Sequence, residues 1–294
     1  MIGVVLNEAA GGGRCGRRAP AALAQLGADV VIRRTRRPGD GAALAQELAG
    51  LGASVVVSCG GDGTLFEVCN GLMGLDGPRP EVALLPLGTG NSFGRDFGVV
   101  DEASALAALR GGASRPFDVV RVTHAEGSLV YVNLLSVGFA ADAGALTNRR
   151  FKGLGALGYI AAVIVQVGRL APASFPCSVD GGPRRPTSVT LLSFSNTRYT
   201  GGDMMMAPAA DPCDGQVDVI TVGAMGRARL LSCFPRLFRG THVAMDEVTA
   251  EQARVVDFEE GPAVTVMLDG EVLPLSLRRL EVLPGALRVR AGGA

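Results

Sequence analysis

Four times before about residue 110, a β-branched run gives way to an alanine- and leucine-rich segment with helical spacing. MIGVVLN, ADVVIRR, ASVVVSCGG and EVALLPLG have the composition of buried strands, and APAALAQLG, GAALAQELAGLG, TLFEVCNGLMGL and EASALAALRGG that of helices. Such alternation implies a parallel sheet covered on both faces, because a parallel pair needs a crossover connection and the crossover is usually a helix. Ligands of these sheets collect at the carboxyl ends of the strands. Three of those ends are rich in glycine here: NEAAGGGRCGRR after the first strand, CGGDGT after the third and PLGTGNSFGRDFG after the fourth.

After Pro116 the pattern changes. FDVVRVT, SLVYVNLLSVGF, SVTLLSFSN, QVDVITVG, RVVDFEE, AVTVMLDGEVLPL and RRLEVL follow one another across Gly, Pro and Asp turns, as in an antiparallel sheet or sandwich. Helices are expected from about Gly155 to Gly168 and near ARLLSCFPRLF. The expected fold class is α/β plus all-β: an N-terminal three-layer α/β domain over 1–116 and a C-terminal antiparallel β-sandwich domain over 117–283. The tail, about 284–294, is left open to a return to the first domain.

With 294 residues, 48% hydrophobic, the chain can bury a sizeable core in each half, and its net charge of +0 gives no reason to expect a nucleic acid as partner. Lys152 is the single lysine and is followed by Gly153, which excludes a GxxxxGK[ST] phosphate loop. The two histidines, His124 and His242, stand far apart, against a His-rich zinc site. Six cysteines without a CxxC, in a chain that opens directly on a strand, fit a reducing cytoplasm. The apolar run ALGYIAAVIVQV is about half of what a membrane span needs, which leaves peripheral contact with a membrane open.

GGDGT and GTGN place small residues, a hydroxyl and unhindered amides at a sheet edge, a combination suited to a polyphosphate at a helix N-terminus. Gly-Asp-Gly is equally ordinary turn chemistry. Asp62 is the informative member, since a carboxylate among phosphate-binding amides repels phosphate unless a divalent cation stands between, and Mg²⁺ uses one or two carboxylates in that way. Arg14, Arg17 and Arg18 read as a solvated helix face, and RRTRR, 33–37, as an exposed strand end. Asp211, Asp214 and Asp218 cluster in APAADPCDGQVDV as a turn or a cation site. In VTVMLDGEVLPL the Asp-Gly pair signals a hairpin, so Asp269 reads as an exposed turn residue, with Glu271 two positions on keeping a catalytic role open. Met204, Met205 and Met206 beside Gly201-Gly202 supply an adaptable apolar surface.

Taken in order, GGDGTLFEV, PLGTGNSFGRDFG, PFDVVRV, VNLLSVGFAADA, GALGYIAAV, SNTRYTGGDMMMAPAADPCDGQVDV and LDGE resemble the diacylglycerol kinase catalytic family, which includes bacterial lipid kinases and the sphingosine and ceramide kinases. The resemblance spans essentially the whole chain. It implies an ATP- and Mg²⁺-dependent lipid kinase with its active site in a cleft between two domains, phosphorylating the hydroxyl of a diacylglycerol-like or sphingoid lipid at a membrane surface. Carried over by position, Thr35, Gly61, Asp62, Gly63, Thr64, Glu67 and Thr89 look like ATP contacts. Asp62 and Asp118 look like Mg²⁺ ligands, and Asp269 like the general base with Glu271 beside it. A structural cation is implied at the Asp214 side chain with the carbonyls of Asp211 and Gln216. The oligomeric state is open, a homodimer included. Two departures stand out: GTGNS where many members have GTGND, so Ser92 replaces an acid, and NEAAGGG where NPxAGGG is usual. The rival readings are an NAD kinase-like enzyme, although no TPTGSTAY-like segment occurs, and a catalytically silent nucleotide- or lipid-binding regulator.

Overall fold

The computed structural model describes residues 1–27, 29–146, 165–168, 173–184 and 188–292. The chain forms two units, Met1–Val119 with Gly285–Ala294, and Val120–Pro284.

In the first unit β1 (Ile2–Leu6), β2 (Val30–Arg34), β3 (Val55–Gly60) and β4 (Glu81–Pro86) form a parallel sheet in the order β2-β1-β3-β4. The returning chain adds Val289 beside Val82, again parallel. All six residues of the central β3 are buried, as expected of a strand covered on both faces. The crossovers are α1 (Arg14–Leu23), α2 (Asp40–Gly50), α3 (Asp62–Met73) and α4 (Glu102–Gly111). α4 starts on a capping box: Asp101 accepts from the Ser104 amide at 2.8 Å and Ser104 Oγ accepts from the Asp101 amide at 3.0 Å. α1 begins at Arg14 rather than at the Ala-Pro step where the apolar spacing becomes visible, and Pro20 lies inside it. Its first turn is RCGRR, where Cys15 alone is buried, so hydrophobic periodicity could not mark the start.

The second unit is antiparallel. Its strands are β5 (Ser114–His124, shared with the first unit), β6 (Gly127–Tyr131), β7 (Leu134–Gly138), β8 (Ala173–Ser174), β9 (Cys177–Val179), β10 (Ser188–Ser195), β11 (Tyr199–Thr200), β12 (Met204–Met205), β13 (Val217–Gly223), β14 (Val248–Ala253), β15 (Val255–Phe258), β16 (Val264–Leu268), β17 (Glu271–Leu275) and β18 (Leu277–Arg290, also shared). One sheet runs β14-β13-β10-β7-β16-β17, with β8 on β10. Separately, β15 pairs with β9 and with residues 279–281 of β18, and β6 pairs with residues 120–124 of β5. The α/β-plus-all-β class expected from the sequence is the class observed. The run SLVYVNLLSVGF, expected as one strand, divides into β6 and β7 at Val132-Asn133, and α5 (Phe139–Leu146) follows directly. α6 (Arg227–Leu237) falls where ARLLSCFPRLF predicted a helix. Of the helix expected over 155–168, residues 165–168 are helical and the rest lie outside the described residues.

His242 belongs to the core of the second unit, 1% exposed, with Nε2 donating to the Met206 carbonyl at 3.0 Å. Burial lowers its pKa below the usual 6.5. Below 6.5 the unfolded chain therefore binds a proton that the folded chain resists, and stability falls as pH drops from there toward the lowered folded value. Urea unfolding across this range is expected to show that decline in the wild type and a flatter profile in His242→Gln; parallel profiles would remove His242 as its source.

Candidate active site

Three glycine-rich corners share one edge of the first unit's sheet because the strands that lead into them end together. β1 and β3 pair through Leu6 and Cys59, and β4 ends at Pro86 opposite Gly60. The Asn7 amide donates to the Cys59 carbonyl at 3.0 Å, and the amides of Leu87 and Gly88 both donate to the Gly60 carbonyl, at 2.9 and 2.7 Å. A Cβ on Gly88 would stand 2.4 Å from the Gly61 Cα, so the second and third corners meet backbone to backbone and position 88 admits only glycine. Thr35 reaches the same edge after β2, its amide donating to the Leu6 carbonyl at 3.0 Å.

Side chains fix these corners. Asn7 Nδ2 donates to Thr64 Oγ1 at 3.1 Å. Asn91, with φ 52°, staples its own loop: Oδ1 accepts from the Gly88 amide at 3.1 Å, and Nδ2 donates to the carbonyls of Pro86 and Gly88 at 3.2 and 3.1 Å. Phe93, Phe97 and Phe117 stack beneath the loop, with ring centroids 4.9 to 6.0 Å apart. Arg14 Nη2 donates to the Gly88 carbonyl and so links the first corner to the third. That corrects the reading of Arg14 as part of a merely solvated face. The signal available in the sequence was its place directly after three glycines at a strand end.

The acids expected to serve nucleotide and metal are engaged with backbone amides. Asp62, half-buried, accepts from the Ser92 amide at 2.9 and 3.1 Å and from the Phe93 amide at 3.3 Å. Burial pushes its pKa up, and those amides pull it back. Glu67 accepts from the amides of Gly39 and Gly41, both at 2.7 Å, at the start of α2. Asp118, 1% exposed, accepts from the Gly285 amide at 2.7 Å. Thr89 is exposed at the loop tip. Ser92 is 1% exposed; an aspartate there would bury a second carboxylate close to Asp62, and serine removes that repulsion.

In the second unit Asp269 occupies the turn between β16 and β17 with φ 50°, but it is 2% exposed. The expected exposed position is thus corrected. Its carboxylate folds inward, Oδ2 accepting from the Val132 amide at 2.9 Å and Oδ1 from the amides of Asn133 and Leu134 at 2.9 and 3.0 Å. The same three amides are the ones that interrupt the strand run between β6 and β7. Asn133 and Asn196 reinforce the bend, Asn196 Nδ2 donating to the Val132 carbonyl at 2.8 Å and Thr197 Oγ1 to Asn133 Oδ1. Tyr131 donates to the Phe194 carbonyl at 3.0 Å, and its pKa is raised by burial and then by the charge of Asp269. Glu271 is exposed at the head of β17. Asn91 and Asp269 are two of the three described non-glycine residues with positive φ, a conformation that concentrates at functional sites.

The acidic loop of this unit is organised as a pair of turns. Asp211 Oδ1 accepts from the Cys213 amide at 3.0 Å, while Asp214 accepts from the Gln216 amide at 2.9 Å and from Gln252 Nε2 at 3.2 Å. Asp218, buried nearby, is pushed up to about 6 by burial and by the charge of Asp214.

The donors in the first unit suit a polyphosphate. Gly61 caps α3 without a side chain, so that helix start presents partial positive charge at the shared edge; the first amides of α1 are already taken, Arg14, Cys15 and Gly16 donating to the carbonyls of Gly11, Ala10 and Glu8 at 3.4, 3.2 and 3.1 Å. Gly11, Gly12 and Gly13 run at φ 61°, 65° and 80°, with open space in front of Gly12. The small cavity behind the loop, lined in part by Ser58, Asp62 and Phe93, holds about 20 Å³, room for roughly one water. A resident metal fits less well: among the described residues no three His, Cys, Asp or Glu side chains converge on one point.

Residues 1–122 match the family profile described as "Diacylglycerol kinase catalytic domain", and residues 133–291 that described as "YegS C-terminal NAD kinase beta sandwich-like domain". A protein named "Diacylglycerol kinase" from Mycobacterium tuberculosis (strain ATCC 25618 / H37Rv) is 30% identical over 98% of this chain and 94% of its own. "Probable lipid kinase YegS" from Salmonella gallinarum is 29% identical over 98% and 94%. A solved structure from Bacillus anthracis str. Sterne has the same fold, with TM-score 0.78 at 24% identity over 99% of this chain and 95% of that one.

Proposed function

The chain belongs to the diacylglycerol kinase family of lipid kinases, and on that premise we propose that it transfers the γ-phosphate of ATP to the hydroxyl of a diacylglycerol-like or sphingoid lipid. The observation that supports the nucleotide half is the meeting of three glycine-rich corners at one sheet edge, where α3 starts without a side-chain cap. Gly61, Gly63, Thr64, Thr35 and Thr89 are assigned to ATP, and Asp62 and Glu67 hold the loops that present these groups. Mg²⁺ bound to the nucleotide would neutralise phosphate charge, and Asp62 and Asp118 are the carboxylates that would face it.

Phosphoryl transfer asks a protein chiefly for positioning and electrostatic stabilisation. The acceptor oxygen forms its bond to the γ-phosphorus as the bond to the β,γ-bridging oxygen breaks and ADP leaves. Asp269 takes the hydroxyl proton, its carboxylate held in one orientation by the three amides of Val132–Leu134. Glu271 is assigned beside it. A cation at Asp214 with the carbonyls of Asp211 and Gln216 would relieve the repulsion by Asp214 that adds to burial in raising Asp218. No helix among the described residues is long and apolar enough to cross a membrane; the enzyme is proposed to act from the cytoplasm on a lipid reached peripherally.

An NAD kinase-like activity is the second reading, favoured by the description of the matched C-terminal profile. Incubation of the protein with γ-labelled ATP, Mg²⁺ and mixed micelles of diacylglycerol, a sphingoid base or ceramide, with NAD in parallel, is expected to move label into the organic phase. Label confined to NAD would replace the lipid reading with the second one.

A further inference from the structure

α6 carries two apolar faces, and folding accounts for one. Leu230, Cys233 and Leu237 pack into the core of the second unit. Leu231 and Phe238 form a second, outward stripe along the helix and the residue after it, with Phe234 between them half-buried against Ala143 and Val167. Leu231 and Phe238 are 46% and 45% exposed, and Phe234 and Phe238 stack edge to face at 5.9 Å. Few large apolar side chains are exposed elsewhere among the described residues: Leu51, Val100 and Val165 complete the set.

Charge surrounds this stripe with one sign. From Arg227 to Arg239 the chain holds four arginines and no acid, in a protein whose charges otherwise balance. Arg229 is paired with Glu247 at 2.8 and 3.0 Å. Arg227, Arg236 and Arg239 are exposed and make no ion pair among the described residues. Arg236 and Arg239 border a groove of about 410 Å³ that also includes Phe234, Pro235, Phe238 and Thr241. Aromatic and aliphatic side chains between unpaired arginines match the boundary of an anionic bilayer, where rings enter the acyl region and guanidinium groups meet headgroup phosphates.

We propose that the outer face of α6, from Arg227 to Arg239, docks the protein on an anionic lipid surface. The proposal rests on the lipid-kinase reading for its choice of partner, since a kinase whose acceptor lives in a bilayer must reach one. An 11-residue helix lies in the interface rather than across it, and the three arginines outside the Glu247 pair, Arg227, Arg236 and Arg239, favour anionic over zwitterionic lipid.

Vesicle co-sedimentation separates this surface from the catalytic proposal. The wild type is expected to sediment with phosphatidylcholine vesicles containing about one third phosphatidylglycerol, weakly with phosphatidylcholine alone, and less as salt rises. Arg236→Gln/Arg239→Gln and Leu231→Ser/Phe238→Ser should each lower binding by about tenfold or more. All of these residues are exposed, so melting temperatures should hold, and turnover of lipid dispersed in detergent micelles should match the wild type. Equal vesicle binding by both double variants would overturn the proposal, as would equal wild-type binding to both vesicle types. Light scattering that showed a wild-type dimer broken by the same substitutions would assign the patch to a second copy of the chain instead. Patch-dependent vesicle binding in a protein that phosphorylates no lipid would uphold the docking surface and remove the proposed acceptor.

Discussion

Asp269→Asn is expected to lower kcat for lipid phosphorylation by about 10²–10⁴ while leaving KM for ATP nearly unchanged. The substitution keeps the shape of the side chain and tolerates φ 50° as aspartate does. It removes the proton acceptor and turns one of two acceptor oxygens into a donor, which then faces an amide N–H from the Val132–Leu134 segment. One or more of those buried amides loses its partner, at a cost of about 1–3 kcal/mol, so a lower melting temperature should accompany the kinetic loss. Thr197→Val separates the two effects. It weakens the same bend through Asn133 without touching the carboxylate, and should lower the melting temperature while retaining most of kcat. Full activity in Asp269→Asn would return the residue to a turn with no chemical role.

The second large effect concerns Asp62. The sequence alone suggested a residue that acts through Mg²⁺, whose loss would weaken Mg²⁺–ATP more than the free nucleotide. The structure gives it a loop to hold as well, through three contacts with the amides of Ser92 and Phe93. Asp62→Asn should release the loop that carries Gly88, Thr89 and Asn91 and weaken ATP by about tenfold or more both with and without Mg²⁺, since charged hydrogen bonds of this kind contribute about 1.5–3 kcal/mol each. Calorimetric titration with and without the metal distinguishes the cases. A loss confined to Mg²⁺–ATP would make Asp62 a metal ligand with no part in holding the loop.

What the sequence made legible is local. Strand and helix alternation, the three glycine-rich corners and the Asp-Gly hairpin are each written within a dozen residues, and each stands where its local chemistry puts it. The functions of the acids depend on partners far away in the chain. Asp62 meets Ser92 thirty positions on, Asp269 meets Val132 at a separation of 137, and Asp118 meets Gly285 at 167. A hairpin signal at Asp269 therefore fixed the turn and left its burial unseen. The interruption of SLVYVNLLSVGF was hidden for the same reason, because an apolar run shows no break where a distant carboxylate takes the amides. Arg14 passed as a surface residue, since what it binds is main chain at another corner; Asn91 binds the main chain of its own loop, a role that the letters GTGN do not reveal.

The most direct measurement of the central claim is the ratio of ADP released to phosphorylated lipid formed when the protein turns over diacylglycerol in mixed micelles, with Asp269→Asn beside the wild type. The account predicts equal amounts of the two products in the wild type and near-background amounts of both in the variant. ADP released without phosphorylated lipid, or undiminished lipid phosphorylation by Asp269→Asn, would contradict it.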